Sequence, residues 1–338
     1  MSFTNCKIEG DGVSYETYSK QPDGAVRGSK NYIMSRGELT EFALCPEKWL
    51  KIPIEDNSTT ATNWGSLIDT LLTGPEAFDL KFIVCPETYT STKGEEKPWT
   101  NKSSTCRKWN DEQKNQGLTV ITQKVYDNAL LAVKTVSEHP AFVELLKVSR
   151  KQVYITGFWK DKATGLDIPV RVLLDLVPPA DHPTLGKWLC DLKTARNGDP
   201  EKWGRVVDDC AYDTQAALYL DMYISATGRK EDRNTWVWAV QENTPPFHIV
   251  EPMPAASSEF LAWGRAKYQH ALAYYAQCLK TGVWPSYQPF GSVMFGLQII
   301  GPESLYRYKQ MAGLGNRQAL PEAPEPEQTE EENVDVAP

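Results

Sequence analysis

The sequence predicts an α/β fold in which a central sheet is flanked by helices and preceded by a helical N-terminal portion. Helical spacing of apolar residues dominates up to about residue 148, and alternation of apolar and polar residues then replaces it. Two apolar strands follow, over 170–177 and 187–194. Further helices are predicted over 209–227 and 257–279, with strands over 235–241 and 247–250 between them. Strands and helices that alternate in this way are typical of a layered α/β domain.

The N-terminal part of the chain is predicted to open with a polar lead and to continue as helices. Residues 1–30 show no clear period and are expected to be loosely ordered. Helical spacing over 33–50 predicts a helix or a helix pair, with Ser35 as its N-cap and Cys45-Pro46 as an interruption. We interpret this segment as packing helices.

A short apolar helix is predicted within 62–78, with a stop at Gly74-Pro75. Asp69 is the only charged residue before that stop. Composition alone favours a solvent-facing Asp69, because carboxylates are seldom buried. The alternative is an inward-pointing metal ligand, and the residues of this helix leave both interpretations open.

The polar segment 86–122 mixes basic side chains with Trp99 and Trp109. Such a mixture can contact the backbone and bases of a nucleic acid. A solvated loop with a short helix is the alternative for each single residue. The candidate DNA contacts in this segment are Lys102, Arg107 and Lys108. A helical period over 123–148 then predicts scaffold that faces the core, with His139 as a helix-end residue.

Composition restricts the class of protein. The chain has 338 residues, 41% of them hydrophobic, and eleven Trp, which is typical of a globular protein with a sizeable core. It has neither a run of about 18 apolar residues nor an apolar signal-peptide core, so a cytoplasmic protein without a membrane span is expected. Seven Cys without metal-binding spacing argue against a zinc or iron–sulfur site.

The acidic net charge arises almost entirely in the C-terminal tail. Residues 318–338 contain seven acidic residues and no basic one, against a net charge of −8 for the whole chain. This tail is rich in Pro and Glu and is expected to be disordered. Because the rest of the chain is nearly neutral, net charge neither supports nor excludes a groove for nucleic acid.

Charged residues within the two apolar strands point to chemistry. Arg171 and Asp175 lie in the first strand, and Asp191 and Lys193 lie in the second. Buried charges are costly unless they are paired or bound to a metal. Because Asp191 and Lys193 are two residues apart, their side chains are expected on the same face of the strand.

An antiparallel pairing of the two strands would bring Asp175 to Asp191. Neighbouring carboxylates repel each other unless a cation lies between them, and oxygen ligands favour Mg²⁺ or Mn²⁺. Lys193 beside such an ion could orient a water or stabilise negative charge on a phosphate. A structural salt-bridge cluster is the alternative, because Asp-x-Lys alone is a frequent tripeptide.

A set of motifs in a fixed order carries a resemblance to a known family. The motifs are Asp175, Asp191-Leu192-Lys193-Thr194 and Tyr212-x-x-Gln215-x-x-x-Tyr219. This set resembles the PD-(D/E)xK nuclease superfamily. Within it, the RecB/RecE branch is the most similar, especially the exonuclease VIII (RecE)-like phage and prophage exodeoxyribonucleases. Flanking segments extend the likeness to roughly residues 33–287.

The resemblance implies a metal site built around the strand pair. Asp175, Asp191 and the backbone carbonyl of Leu192 would be metal ligands, and Lys193 would be the catalytic lysine near the attacking water. Asp69 occupies a position at which the family usually has His. Since Asp also binds Mg²⁺, Asp69 becomes a further candidate ligand.

The resemblance also implies contacts with DNA and a division of the chain. Gln215 and Tyr219 would support the site or contact the DNA strand, and both are counted with the catalytic residues. Arg171 would meet a phosphate. A single exonuclease domain is expected over 31–317, with its nuclease core at about 151–252.

We therefore expect a Mg²⁺-dependent exodeoxyribonuclease with a central mixed sheet, in which Mn²⁺ can substitute. The resemblance implies digestion of duplex DNA from its ends, from 5′ to 3′, to make 3′ single strands for phage-type homologous recombination. It also implies a ring-shaped homo-oligomer and a single-strand annealing partner in a bacterial host cytoplasm. The alternatives are an endonuclease or single-strand nuclease of this fold, a non-catalytic DNA-binding recombination scaffold and an enzyme for small phosphoesters.

Overall fold

The structure is a computed structural model that describes residues 3–52, 60–228 and 235–287, with the backbone of two short strands beyond them. For residues 60–62 and 200–201 it describes the backbone alone. A 3-10 turn at Pro75–Ala77 follows the fourth helix. The elements in chain order are β1 (Phe3–Gly10), α1 (Tyr15–Ser19), α2 (Arg36–Leu44), α3 (Pro46–Lys51), α4 (Thr60–Thr73), α5 (Phe78–Lys81), β2 (Phe82–Val84), β3 (Thr88–Thr90), β4 (Glu96–Pro98), α6 (Ser104–Asn115), β5 (Thr119–Ile121), α7 (Gln123–Ser137), α8 (Pro140–Val148), β6 (Arg150–Lys160), β7 (Asp167–Val177), β8 (Trp188–Ala195), α9 (Pro200–Asp209), α10 (Tyr212–Thr227), β9 (Thr235–Glu242), α11 (Ser258–Thr281), β10 (Val293–Met294) and β11 (Leu297–Gln298).

A five-stranded sheet in the order β1-β6-β7-β8-β9 forms the centre of the fold. The first three pairings are antiparallel, whereas β8 and β9 run parallel. A parallel pair needs a long crossover, and the segment that contains α9 and α10 supplies it. The predicted α/β class with a mixed central sheet is therefore confirmed.

One face of the sheet is covered by α10, against which α11 and α2 pack. The two long helices approach closely at Gly264, where a Cβ atom would lie 2.0 Å from the backbone oxygen of Asp213. A buried ion pair between Lys267 and Asp213, with N and O 2.7 Å apart, joins the same helices. The residues behind the site are thus held in a tightly packed layer.

The opposite face packs against α7 and α8, and α4 contacts both α7 and β8. The apolar cluster on this side combines residues of helices, of strands and of the segment after β9: Val136, Phe142, Leu145, Leu176, Cys190, Val237, Ala239 and Ile249. His139 accepts a hydrogen bond from the backbone N–H of Phe142 and caps α8, as expected for a helix-end residue. None of the helices in the ranges described combines the length and apolar composition that a bilayer crossing needs.

The N-terminal segment differs from its prediction as a loosely ordered lead. Its first part forms β1, which pairs with β6 through Phe3↔Trp159 and Ile8↔Ile155. The pairing contains two register shifts, and the strand lies at a sheet edge. An edge strand with few inward-facing apolar residues has a weak alternating pattern, which explains why the sequence did not predict it.

Other predicted elements are confirmed, with one exception. The segment 33–50 forms α2 and α3, and the Ser35 hydroxyl accepts the Glu38 N–H at 3.3 Å. The strand predicted over 247–250 is wrong, because Ile249 forms only an isolated bridge to Gln241. Phe247, at φ 60°, has a left-handed backbone that interrupts an extended strand.

The single domain over 31–317, with its core at about 151–252, and the disordered tail stay predictions. The predicted acidic tail, 318–338, lies outside the described residues. The same holds for 299–317, at the end of the predicted domain.

Candidate active site

The site forms where the pairing between β7 and β8 ends. These strands pair at Leu176 and Cys190. Beside this pair, the Asp175 carboxylate accepts a hydrogen bond of 2.9 Å from the backbone N–H of Leu192. In a regular ladder, a backbone carbonyl of the neighbouring strand would accept that hydrogen bond. The Asp175 side chain is thereby fixed against the backbone of the strand that carries the Asp-x-Lys motif.

Asp191 is buried and is contacted from two sides. Its Oδ1 accepts a hydrogen bond of 2.8 Å from the Gln215 side-chain amide of α10. Its Oδ2 contacts the Lys193 ammonium group. Lys193 also lies 3.5 Å from the Leu192 carbonyl oxygen and 4.9 Å from the centre of the Tyr212 ring. The two-residue spacing thus brings acid and lysine together, as predicted.

Asp69 reaches the site from α4. The Gln152 side-chain amide of β6 donates to its two carboxylate oxygens at 3.2 and 3.3 Å. The Thr73 hydroxyl, one turn further along α4, lies 3.5 Å from Asp69 Oδ1. The structure therefore supports the inward-pointing interpretation of Asp69 over the solvent-facing one.

Gln152 has an unusual backbone at this point. Its φ is 48°, in the left-handed region that non-glycine residues seldom adopt. Its neighbours Lys151 and Val153 pair with Leu176 and Leu174, so Gln152 lies directly across from Asp175. Backbone strain of this kind clusters at functional sites, where it aims a side chain. The sequence carried no signal for it, because the conformation follows from a local irregularity in a strand.

The carboxylates influence each other electrostatically. Burial raises the pKa of Asp175 well above its usual range, and the neighbouring charge of Asp191 raises it further. Burial also raises the pKa of Asp69, although the positive charges of Lys81 and Lys193 oppose this rise. The ionised forms of these carboxyl groups therefore repel one another, and a bound cation would offset that repulsion.

The donor atoms fit an oxygen-coordinated divalent cation. Within the described ranges, no three His, Cys, Asp or Glu side chains are grouped closely enough to hold a metal ion by themselves. The buried Oε1 of Gln215 accepts no hydrogen bond there, and the buried Oδ2 of Asp191 has the Lys193 ammonium group as its ion-pair partner. Mg²⁺ is usually held by one or two carboxylates and completed by water and substrate phosphate, so an incomplete cage suits it.

Tyr219, on α10, lies behind the carboxylates of the strand pair. It is buried and meets Trp236 edge-to-face with ring centres 5.8 Å apart. Burial raises the pKa of Tyr219 well above its usual range, so the phenol stays protonated. Gln215 and Tyr219 therefore both lie at the site, the first in direct contact with Asp191.

These residues line one cavity of about 790 Å³. Its walls also contain residues that the sequence did not single out. They come from the N-terminal segment, from α5 and from the start of β6, and include Tyr15, Tyr18, Lys81, Lys151 and Gln152. Their approach depends on long-range packing, which motif spacing does not reveal.

Arg171 requires a correction. The expected phosphate contact needs a free guanidinium, but Arg171 is buried and donates to the carbonyl oxygens of Lys20 and Ser19 at 2.7 and 2.9 Å. Its guanidinium also lies 5.1 Å from the centre of the Tyr18 ring. The side chain therefore fastens the N-terminal segment to the sheet, because that segment covers it.

The other predicted DNA contacts lie away from the cavity walls. Lys102, Arg107 and Lys108 are exposed at and near the start of α6. None of the three lines the cavity. Their contact with DNA stays a prediction.

The fold and site together define a class. A mixed sheet presents Asp175 and Asp191-x-Lys193 on neighbouring antiparallel strands, with Gln215 on the helix behind them. This is the arrangement of the PD-(D/E)xK nuclease superfamily. The chain belongs to the family described as PDDEXK-like domain of unknown function (DUF3799), whose family model matches residues 35–289.

Comparison with solved structures supports the same fold. A crystal structure of a candidate exonuclease from Eubacterium rectale has a TM-score of 0.50 at 17% identity, over 82% of this chain and 90% of that chain. Rai1 of Scheffersomyces stipitis, in complex with (3'-NADP)+ and calcium ion, has a TM-score of 0.22 at 13% identity, over 63% of this chain and 56% of that chain. The second value is too low to bear on the fold. No curated protein matches the chain.

Proposed function

We propose that this protein is a Mg²⁺-dependent exodeoxyribonuclease that digests duplex DNA from its ends, from 5′ to 3′, and leaves 3′ single strands. The observation that carries this proposal is the position of Asp191, held between Gln215 and Lys193 beside the neighbouring strand of Asp175. The E. rectale protein, described as a candidate exonuclease, shares the fold and supports the assignment.

Four groups would hold the metal: the carboxylates of Asp69, Asp175 and Asp191 and the carbonyl oxygen of Leu192. When bound, Mg²⁺ would polarise a phosphoryl oxygen and lower the pKa of a coordinated water. Mn²⁺ has similar ligand preferences and would substitute.

The remaining residues would position the reacting groups. The Lys193 ammonium, beside Asp191 and the Leu192 carbonyl, would orient the attacking water and stabilise negative charge on the phosphate. Gln215 fixes the orientation of Asp191 through its 2.8 Å hydrogen bond. Tyr219 would support this arrangement from behind as a protonated phenol.

The wider setting of the proposal rests on the resemblance to RecE-like enzymes. It comprises a homo-oligomeric ring around DNA, a single-strand annealing partner, phage-type recombination and a cytoplasmic location. The exposed side chains of Lys102, Arg107 and Lys108 would add phosphate contacts outside the cavity.

The test compares three DNA substrates with the purified full chain in Mg²⁺. Linear duplex labelled at either 5′ or 3′ end should be degraded from the 5′ ends, while covalently closed circles should stay intact. Degradation of the circles would identify an endonuclease, and exclusive attack on single strands would identify the single-strand alternative. Activity should disappear in EDTA and return with Mg²⁺ or Mn²⁺.

Two variants test whether the measured hydrolysis arises at this site or from a contaminating nuclease. Asp191→Asn should lower the rate by at least about a hundredfold, because it removes charge from the metal ligands. Asp167→Asn provides the control, since Asp167 is an exposed carboxylate at the start of β7. Unchanged hydrolysis by Asp191→Asn would show that the activity does not arise at this site.

A further inference from the structure

Tyr15 places an exposed aromatic ring on the wall of the candidate active-site cavity. The residue is 68% exposed although it contributes to the lining of the same cavity as the carboxylates. It precedes residues 35–289, which match the family model. The feature therefore belongs to an N-terminal part of this chain that the family match leaves undescribed.

The backbone beneath Tyr15 is fastened to the strand that carries Gln152. The N–H groups of Gly12 and Val13 donate to the carbonyl oxygens of Lys151 and Gln152, at 2.8 and 3.3 Å. The Ser14 hydroxyl accepts the Thr17 N–H at 3.2 Å. The turn before Tyr15 is thus tied directly to the strand that contacts Asp69.

The far end of α1 is fixed as well. Arg171 donates to the carbonyl oxygens of Ser19 and Lys20 from the central sheet. Its buried neighbour Tyr18 meets the Tyr154 ring edge-to-face at 5.8 Å. Because both ends of α1 are anchored, the Tyr15 ring is carried by a defined support.

The ring itself is partnered on one side and open elsewhere. Its centre lies 5.7 Å from that of Tyr18, with the planes tilted by 48°. Tyr18 and the half-buried residue Lys151 line the cavity with it, and Lys81 adds a second basic residue to the walls. Aromatic and basic residues on the walls of one cavity are the combination that binds single-stranded nucleic acid, with rings for stacking on bases and ammonium groups for phosphates.

We propose that Tyr15 is a stacking site for a nucleobase of the DNA strand that enters this cavity, with Lys151 meeting an adjoining phosphate. The inference rests on the proposed function and names the part of the substrate that the N-terminal segment binds. Every base presents a flat π-face, so the contact is tolerant of sequence. It gives the site a hold on an unpaired nucleotide that the carboxylates and Lys193 do not provide.

The experiment measures binding without hydrolysis. Short oligonucleotides with 2-aminopurine at successive positions from the 5′ end are titrated with the full chain in EDTA. Stacking on Tyr15 should quench the fluorescence at one or two positions. Tyr15→Ala should weaken binding about five- to 150-fold and abolish that quenching. Tyr15→Phe and Tyr15→Trp should retain both.

An abasic nucleotide at the quenched position identifies the partner of the ring. Tyr15→Ala should not weaken binding to the abasic strand further, because the base that it would lose is already absent. Equal losses on normal and abasic strands would overturn the proposal. Tyr287→Ala is the matched control, since Tyr287 is 54% exposed and is not among the cavity-lining residues. It should bind like the unaltered protein.

The outcomes separate this inference from the proposed function. Quenching that depends on Tyr15 in a protein without hydrolytic activity would support the stacking site and contradict the nuclease assignment. Hydrolysis with binding independent of Tyr15 would do the reverse. Absence of binding to any oligonucleotide would overturn the stacking site. Thermal melting should be the same for all Tyr15 variants, because the ring is exposed.

Discussion

The side-chain amide of Gln152 donates to both carboxylate oxygens of Asp69, so the central sheet orients an acid that α4 supplies. The two residues are 83 positions apart in the sequence. Gln152 of β6 also lies opposite Asp175 of the adjacent strand β7. One amide therefore couples the position of the helix-borne carboxylate to the strand pair that carries the other acids.

Removal of this amide should weaken metal binding. Gln152→Ala leaves Asp69 free to rotate, and loss of a partner behind a metal ligand typically costs about 10- to 100-fold in metal affinity. Mn²⁺ binding by calorimetry, together with the Mg²⁺ dependence of hydrolysis, measures the change. Gln116→Ala, at an exposed position that ends α6, should alter neither. Equal Mn²⁺ affinity in both variants would contradict a positioning role for Gln152.

The left-handed backbone of Gln152 gives a separate prediction about stability. Gly adopts φ near 48° without the Cβ clash that costs about 1–2 kcal/mol in other residues, although its flexibility offsets part of that gain. Gln152→Gly should therefore be more stable than Gln152→Ala by roughly 0.5–1 kcal/mol. Urea unfolding measures the difference. A less stable Gly variant would show that strain at this residue is negligible.

The sequence predicted the parts of this site that depend on short spacing. Asp191 and Lys193 meet because residues two apart share a face of a strand, and Asp175 lies near them because the strands pair antiparallel. The position of Gln215 followed from a motif resemblance. Each of these relations is set within one or two neighbouring elements.

The sequence did not predict what distant packing decides. Arg171 was expected to meet a phosphate, but the N-terminal segment covers it and provides its two carbonyl partners. Tyr15 enters the cavity for the same reason, because β1 joins the sheet edge beside β6. Gln152 reaches Asp69 through a backbone irregularity that no residue type announces.

The buried ion pair between α10 and α11 should be important for stability. Asp213 and Lys267 are both almost fully buried, so Asp213→Asn leaves an uncompensated ammonium group in the core. Loss of one partner of such a pair costs about 3–5 kcal/mol, measured by urea unfolding. The double variant Asp213→Asn/Lys267→Met should recover most of that loss.

An exposed ion pair supplies the contrast to this buried one. Lys108 and Glu112 lie on the surface of α6 with N and O 3.9 Å apart. Glu112→Gln should change the free energy of unfolding by less than about 0.5 kcal/mol. Equal effects at Asp213 and Glu112 would contradict the distinction by burial.

Two helical glycines should respond to the same substitution with opposite signs. A Cβ atom at Gly264 would lie 2.0 Å from the Asp213 carbonyl oxygen and 3.0 Å from the Ala217 Cβ, so α11 would have to move away from α10. Overpacking of this kind costs about 1–3 kcal/mol or more. At Gly204 of α9, an added Cβ meets nothing within 4 Å, and Ala should stabilise the helix by up to about 1 kcal/mol. In urea unfolding, Gly264→Ala should have a lower free energy of unfolding than the unaltered protein, and Gly204→Ala should have a higher one. If Gly264→Ala left the free energy of unfolding unchanged, α10 and α11 could separate at little cost. The close contact at Gly264 would then not fix the position of α10, which carries Gln215.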